Sequence, residues 1–286
     1  MVEELRRDLA AQWLPRRKVT GHKGDFGKVY VLGGSVGLSG APVFASEAAQ
    51  RAGCGLVFLG VPEAIYPIAA VRCSSVMPHP LPTQEGKLAQ AAEAEILRRV
   101  SACDVLAMGC GAGRSEQSDA LQRRLLQAAA CPVVLDADGI NALAGHIDTL
   151  DRRQGRVTVL TPHEGEFLRL VGEYHGERIE QTMAFAKAHG CILVRKGAGT
   201  LITDGERIYR NTTGNSGMAK GGSGDVLTGL IAGLLAQGVA PLEAAALAVW
   251  LHGYAGDVAA AQWTEYAMTP QELLTSLPQA FQALLS

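Results

Sequence analysis

Aromatic residues are scarce, 5% of the chain. That excludes a core built on large rings and leaves Ala, Val, Leu and Gly to pack helices closely against strands. Net charge is only −2 and no basic stripe is present, so nucleic acid is not an expected partner. Six cysteines (Cys54, Cys73, Cys103, Cys110, Cys131, Cys191) form no C-x-x-C pair and no zinc spacing, and buried reduced thiols in a cytoplasmic protein are expected. The N-terminal "MVEELRRDLAAQWLPRRK" lacks an apolar stretch of signal length. The most apolar region, Val226–Leu251, is interrupted by Gln237, Gly238, Pro241 and Glu243, so two buried helices fit better than a membrane span. Internal repeats, low-complexity tracts and a convincing linker are also missing. Residues 1–286 are therefore read as one domain, long enough for a substantial core.

What is present is alternation. Apolar runs of strand length, "KVYVLGG", "GLVFLGVP", "DVLAMG", "PVVLD", "RVTVL" and "CILVR", are separated by segments of helical period. The helices are placed at Ala41–Arg51, Gln90–Val100, Ser118–Ala129 and Arg178–His189. The proline-bearing Val71–Gly86 reads as loop. "TLITDGERIYR" (Thr200–Arg210) reads as a hairpin with a two-residue Asp204-Gly205 turn. The last third reads as helical: Asp225–Gln237, Pro241–Ala260, and a helix opened by "TPQE", where Thr269 and Glu272 form a capping box. Repeated strand–helix units imply a parallel sheet covered on both faces, with ligands at the carboxyl ends of the strands.

The loops at those ends carry the candidate chemistry. "GGSVGLSG" (Gly33–Gly40) is either an anion-binding loop or a tight packing turn. It lacks the dinucleotide fingerprint and the Walker A lysine. Its match to the G-x-S-x-G nucleophile elbow at Ser35 is discounted, because too little chain precedes it and no helix follows at once. In "LDADGINAL", Asp136 and Asp138 could hold magnesium through water, or Asp138 could start a helix. "LTPHEGEF" sets His163, Glu164 and Glu166 just past a strand. "RKGAGT" offers Lys196 and two glycines to a nucleotide, or is a mere turn.

"GGSGD" (Gly221–Asp225) directly precedes an apolar helix. The N-terminus of a helix carries roughly +0.5 charge and unpaired N–H donors. Gly221, Gly222, Ser223 and Gly224 would let those donors crowd round a phosphate. Asp225 is either a helix cap or a carboxylate placed to orient a hydroxyl that attacks phosphorus.

Taken in order, "GHKGDFGKVYVLGGSVGLSGA", "GCGAG", "LDADGINAL", "LTPHEGEF", "KGAGT" and "NTTGNSGMAKGGSGDVLTG" resemble the ADP/ATP-dependent NAD(P)H-hydrate dehydratases of the ribokinase-like superfamily. The resemblance covers nearly all of the chain from Gly21. It implies an α/β fold with a mostly parallel central sheet and helices on both faces, in three layers. It also implies a metabolite-repair lyase that dehydrates the S epimer of hydrated NADH or NADPH at the expense of ADP, releasing AMP and phosphate. Carried over by position, Ala45, Gly111, His163 and Asp225 would meet the hydrated dinucleotide. Lys196, Gly197, Ala198, Gly199, Thr200 and Gly224 would meet the nucleotide. Mg²⁺ is the implied cofactor, its ligands unassigned, and a homotetramer the implied assembly. Many bacterial members carry an epimerase ahead of this domain. Here some twenty residues precede the first motif, so an epimerase, where one exists, is expected as a separate protein. "GCGAG" replaces the more usual Gly-Pro-Gly, with Cys110 in place of proline.

The chemistry suits such a site. Hydroxide leaves poorly, whereas phosphate, with a second pKa near 6, leaves well. Phosphorylating the ring hydroxyl first therefore makes the elimination feasible. Two rivals are a vitamin-precursor kinase such as hydroxyethylthiazole kinase, which would accumulate a phosphorylated product, and a non-catalytic adenine-nucleotide sensor, which would not need Asp225.

Overall fold

The computed structural model describes residues 1–172 and 176–286. Among these, ten strands form one sheet: β1 (Glu3–Leu5), β2 (Lys28–Leu32), β3 (Leu56–Pro62), β4 (Met77–Leu81), and then, beyond the small β5 (Thr83–Gln84) and β6 (Lys87–Leu88) pair, β7 (Val105–Met108), β8 (Val133–Leu135), β9 (Thr158–Leu160), β10 (Ile192–Arg195), β11 (Leu201–Thr203) and β12 (Ile208–Asn211). Their spatial order is β1-β12-β11-β10-β9-β8-β7-β2-β3-β4. Pairing is parallel except at β10–β11 and β11–β12.

The helices are α1 (Arg7–Gln12), α2 (Gly40–Arg51), α3 (Tyr66–Arg72), α4 (Glu93–Val100), α5 (Glu116–Ala128), α6 (Asp138–Asn141), α7 (Asp148–Asp151), α8 (Glu164–Val171), α9 (Arg178–His189), α10 (Ser223–Ala236), α11 (Pro241–Ala267) and α12 (Pro270–Leu285). Successive strand residues point to opposite faces. Val29, Val31, Val105, Ala107, Val134 and Val159 pack on one side with α2, α10, α11 and α12. Tyr30, Leu32, Leu106, Met108, Val133 and Leu160 pack on the other with α4, α5 and α9. The result is the three-layer, ribokinase-like α/β architecture.

Three details depart from the sequence reading. The Val71–Gly86 stretch contains a strand, β4, despite Pro78 and Pro80. It lies at the sheet edge, where one side of the strand has no ladder partner and proline is tolerated. The β11–β12 turn has four residues rather than two, since Thr203 pairs with Ile208. Asp204 holds this turn by accepting from the N–H groups of Glu206 and Arg207 at 2.9 and 2.7 Å. Finally, α11 runs on to Ala267 across a break at Thr264, whose φ is 66°.

The apolar run beginning at Val226 is explained by α10, which is buried along most of its length. It lies tightly on α2, where side chains on Gly229 and Gly233 would overlap the carbonyl oxygens of Ala45 and Ala49. Among the described residues, no helix is long and apolar enough to cross a membrane.

Candidate active site

The parallel strands end side by side, and the polar residues that follow them converge. Asp136 follows β8, Thr161 follows β9 and Lys196 follows β10. The Lys196 ammonium donates to Asp136 Oδ1 at 2.8 Å, and the Thr161 hydroxyl donates to the same oxygen at 2.7 Å. The Thr228 hydroxyl, from α10, donates to Asp136 Oδ2 at 3.0 Å. Asp136 is 2% exposed. Burial works against its charge, but Lys196 and the hydroxyl donors outweigh burial and hold its pKa below the usual carboxylate value. Burial works equally against the charge on Lys196, and Asp136 and then Glu166, 3.9 Å away, more than offset it.

Asp225 enters from the opposite side, as the third residue of α10. Gly222 precedes that helix with φ 105°, and a Cβ there would stand 2.9 Å from Pro270, so the turn requires glycine. No side chain caps this helix, and the cap reading of Asp225 is not realised. Instead, carboxylate oxygens of Asp225 and Asp136 and the Cys110 sulfur lie within 4.8 Å of one another. Burial, and next the Asp136 charge, push the Asp225 pKa up to about 7, while the Cys110 thiol and Lys196 pull it back. The thiol is itself pushed well above its ordinary range by burial and by the two carboxylates. It stays protonated beside Asp225, whose charged form it favours. Gly224 leaves room for the ion pair, since a Cβ would sit 3.2 Å from Lys196 Nζ and 3.4 Å from Asp136 Oδ2.

Several expected site residues have other partners. Asp138 does start α6, and its carboxylate accepts from the Gly113 N–H at 2.9 Å. Asp136 and Asp138 are thus each already engaged by protein partners. Four amides of the Gly33–Gly40 loop are taken: Gly33 N–H donates to the Gly60 carbonyl, Gly34 N–H to Cys110, Val36 N–H to Gly86 and Leu38 N–H to Ser35. Ser35 is buried and its hydroxyl donates to the Gly111 carbonyl at 2.9 Å. These contacts support the packing reading of this loop, and a buried Ser35 bonded to Gly111 is poorly placed to act as a nucleophile. Gly111, with φ 62°, sits at this seam, where a Cβ would come 2.8 Å from the Leu38 carbonyl oxygen. Ala45 is fully buried, its carbonyl against Gly229, so its methyl packs between helices and presents no surface to a ligand.

His163 is the cap of α8 and forms a reciprocal box with Glu166. Its ring is more than half exposed at the strand-end face. In the Lys196–Thr200 loop, Gly197 and Ala198 are exposed. Gly197 and Gly199 have φ of 146° and 64°, and Arg178 braces the loop by donating to the Arg195 and Lys196 carbonyls at 3.2 and 3.3 Å. Gly221, Gly222, Ser223 and Gly224 form the entry to α10, whose first amides lack intrahelical partners by geometry. The sequence reading missed His252 on α11. Burial lowers its pKa to about 4, leaving it neutral, and its Nε2–H donates to the Ser223 carbonyl at 2.8 Å. No linear pattern signals that contact. A cavity of about 1140 Å³ lined by Arg17, Gln237 and Phe281 lies at the other end of α10, about 20 Å away at 1.5 Å per residue, and contains none of these groups.

The family model described as NAD(P)H-hydrate dehydratase matches residues 29–279. The chain belongs to the NAD(P)H-hydrate dehydratase family. It is 44% identical to the bifunctional NAD(P)H-hydrate repair enzyme of Moorella thermoacetica, over 98% of this chain and 54% of that protein. It is 37% identical to the ADP-dependent (S)-NAD(P)H-hydrate dehydratase of Neisseria meningitidis, over 83% of this chain and 78% of that one. It superimposes on the ADP/ATP-dependent NAD(P)H-hydrate dehydratase of Bacillus subtilis, co-crystallised with ATP and Mg²⁺, with a TM-score of 0.81, 26% identity and 99% of each chain covered. The chain spans about half the length of the bifunctional curated relatives it matches. As an NAD(P)H-hydrate dehydratase family member, it carries the polar convergence of Asp136, Lys196 and Asp225 at the strand ends, where doubly wound sheets bind ligands.

Proposed function

We propose that residues 1–286 act as one unit that restores hydrated NADH or NADPH, in its S form, to NAD(P)H using ADP. One observation carries the reading. A half-buried carboxylate, Asp225, whose pKa is pushed up to about 7, lies in the first turn of a helix that opens with a glycine-rich entry. A base poised near the working pH sits beside amides suited to a phosphate.

In this reading the amides of Gly221, Gly222 and Gly224 hold the terminal phosphoryl of ADP, and the Lys196–Thr200 loop holds the rest of the nucleotide. Gly111 and His163 border the hydrated ring. Asp225 accepts the ring hydroxyl's proton as that oxygen attacks the β-phosphorus, and AMP leaves. The ring nitrogen's electron pair then expels the phosphate ester as inorganic phosphate, leaving a ring iminium, and loss of a proton from the adjacent ring carbon to solvent forms the C=C bond and regenerates the reduced ring. Lys196 holds Asp136 in place and keeps a positive charge near the developing phosphate. Magnesium is a hard ion that prefers oxygen. The Cys110–Asp136–Asp225 cluster offers it a poor cage, because one member is a thiol and Asp136 is already fully engaged. The donor set suits an ion held by nucleotide phosphates, where it would neutralise charge. The family resemblance also supports a cytoplasmic homotetramer, and the bifunctional names of its relatives support an epimerase activity acting alongside it.

The test is turnover. Purified protein, hydrated NADH, ADP and Mg²⁺ should yield NADH, AMP and free phosphate in equal amounts. A stable phosphorylated product would instead indicate a kinase, and ADP binding without turnover a sensor.

A further inference from the structure

The loop leading into α10 is fastened to a broken helix end. α11 departs from helical geometry at Thr264 (φ 66°, ψ 157°), a conformation that strains a β-branched residue. The carbonyls just beyond it lack helical partners, and the Lys220 ammonium takes them up. It donates to Tyr266 O at 2.8 Å, to Glu265 O at 3.4 Å and to Met268 O. An ammonium has three N–H donors, so all three are engaged, and its positive charge faces the negative end of the helix.

The neighbours of Lys220 close the same joint. Ser216 donates its hydroxyl to the Glu265 carboxylate. Gly217 has no space for a side chain, since a Cβ would lie 2.6 Å from Met268 Sδ and 2.7 Å from Glu265 Cα. Gly222 meets Pro270 in the same way. Asp257 of α11 accepts from the Gly214 N–H at 2.9 Å and from the Asn215 amide at 3.0 Å. The Lys220 backbone continues directly into Gly221–Gly224, and its carbonyl accepts from the Ser223 N–H at 3.3 Å.

We propose that Lys220 is a positioning residue for phosphate binding: by anchoring the broken end of α11, it fixes the direction in which the first amides of α10 face the nucleotide. Its own charge does not touch phosphate, because every donor is taken by a carbonyl. The proposal rests on the phosphate reading of Gly221–Gly224 given above. It adds that the α11–α12 junction, on the far side of this loop, determines nucleotide affinity.

The test compares wild type with Lys220→Met and Lys220→Arg. In ligand-free protein, amide hydrogen exchange over residues 221–226 should quicken about tenfold in Lys220→Met, equivalent to about 1.4 kcal/mol. KM for ADP should rise by about the same factor while KM for hydrated NADH moves less than about twofold. Lys220→Arg, which keeps charge and donors, should recover most of both. Unchanged exchange, an equal rise in both KM values, or no recovery by arginine would overturn the proposal. Should Lys220→Met fail to fold, Ser216→Ala, which removes only the contact to Glu265, should shift exchange and ADP affinity in the same direction, and no shift would count against it. If wild type did not turn over hydrated NADH, the proposed reaction would fall. Exchange and calorimetric ADP affinity would still decide the role of Lys220.

Discussion

Replacing Asp225 by Asn removes a half-buried charge and a base while nearly preserving shape, so it separates two effects that the structure makes opposite in sign. The Asp225 pKa rises from 3.8 to about 7, which corresponds to about 4 kcal/mol against the charged form. In the unfolded chain this carboxyl ionises near pH 4, whereas in the folded protein it keeps its proton until about pH 7. Between those values the native state binds more protons, so this group's favourable contribution is present below pH 4 and lost as pH rises to 7. The amide of the Asp225→Asn variant does not titrate. The variant's stability relative to wild type should therefore climb across that window, reaching a few kcal/mol at pH 8 once about 1–3 kcal/mol is deducted for an imperfectly paired buried amide. His79 and His252, both with pKa lowered to about 4, titrate alike in both proteins and cancel. Activity should move the other way, falling about 10²- to 10⁴-fold for loss of a general base. Urea unfolding at pH 5, 6, 7 and 8, paired with NADH recovery assays on the same samples, reads both. A folded variant that turns over within tenfold of wild type, or one whose relative stability is flat with pH, would refute the reasoning.

Three other perturbations follow from the same geometry. Gly224→Ala should leave the melting temperature nearly unchanged, because alanine suits a helix better than glycine by about 1 kcal/mol. It should lower kcat/KM at least about tenfold, since the new methyl abuts Lys196 and Asp136; equal activity would argue that the ion pair does not border the reacting groups. Lys196→Met strands Asp136 in the interior and should cost about 3–5 kcal/mol in denaturant unfolding, unlike an exposed nucleotide-contacting lysine. Cys110→Ala removes a thiol that pulls the Asp225 pKa down, so the acid limb of the kcat/KM profile should move to higher pH, and movement to lower pH would contradict that role.

The strands of the central sheet were legible because each is buried on both faces and reads as an unbroken apolar run. β4 was not, since its prolines are tolerated only because nothing pairs beyond them, and position within a sheet is a tertiary fact. α8 went unplaced because its cap is His163, outside the usual Ser, Thr, Asp and Asn signals. The loops at the strand ends were read correctly as the place where polar groups gather. Their pairings were hidden: Lys196 and Asp136 are 60 residues apart, and Cys110 reaches Asp225 only once β7 and α10 are stacked. Arg153 shows the limit most clearly. It is an ordinary charge in the sequence, yet the structure buries it, with donors directed to the carbonyls of Leu126, Ala129, Cys131 and Val157 and to the Thr158 hydroxyl.

The two margins of the sheet constrain how copies of this chain can associate. One margin is β4, which denies a neighbouring strand two of the N–H groups it would need, at Pro78 and Pro80. The other is β1, three residues long with Glu3 and Glu4 exposed, too short and too acidic to template another strand. Both ends of the sheet resist extension across a subunit boundary, which disfavours a continuous intermolecular sheet. Helix and loop faces are then the favoured ground for assembly, and mutations that loosen either margin should promote edge-to-edge aggregation.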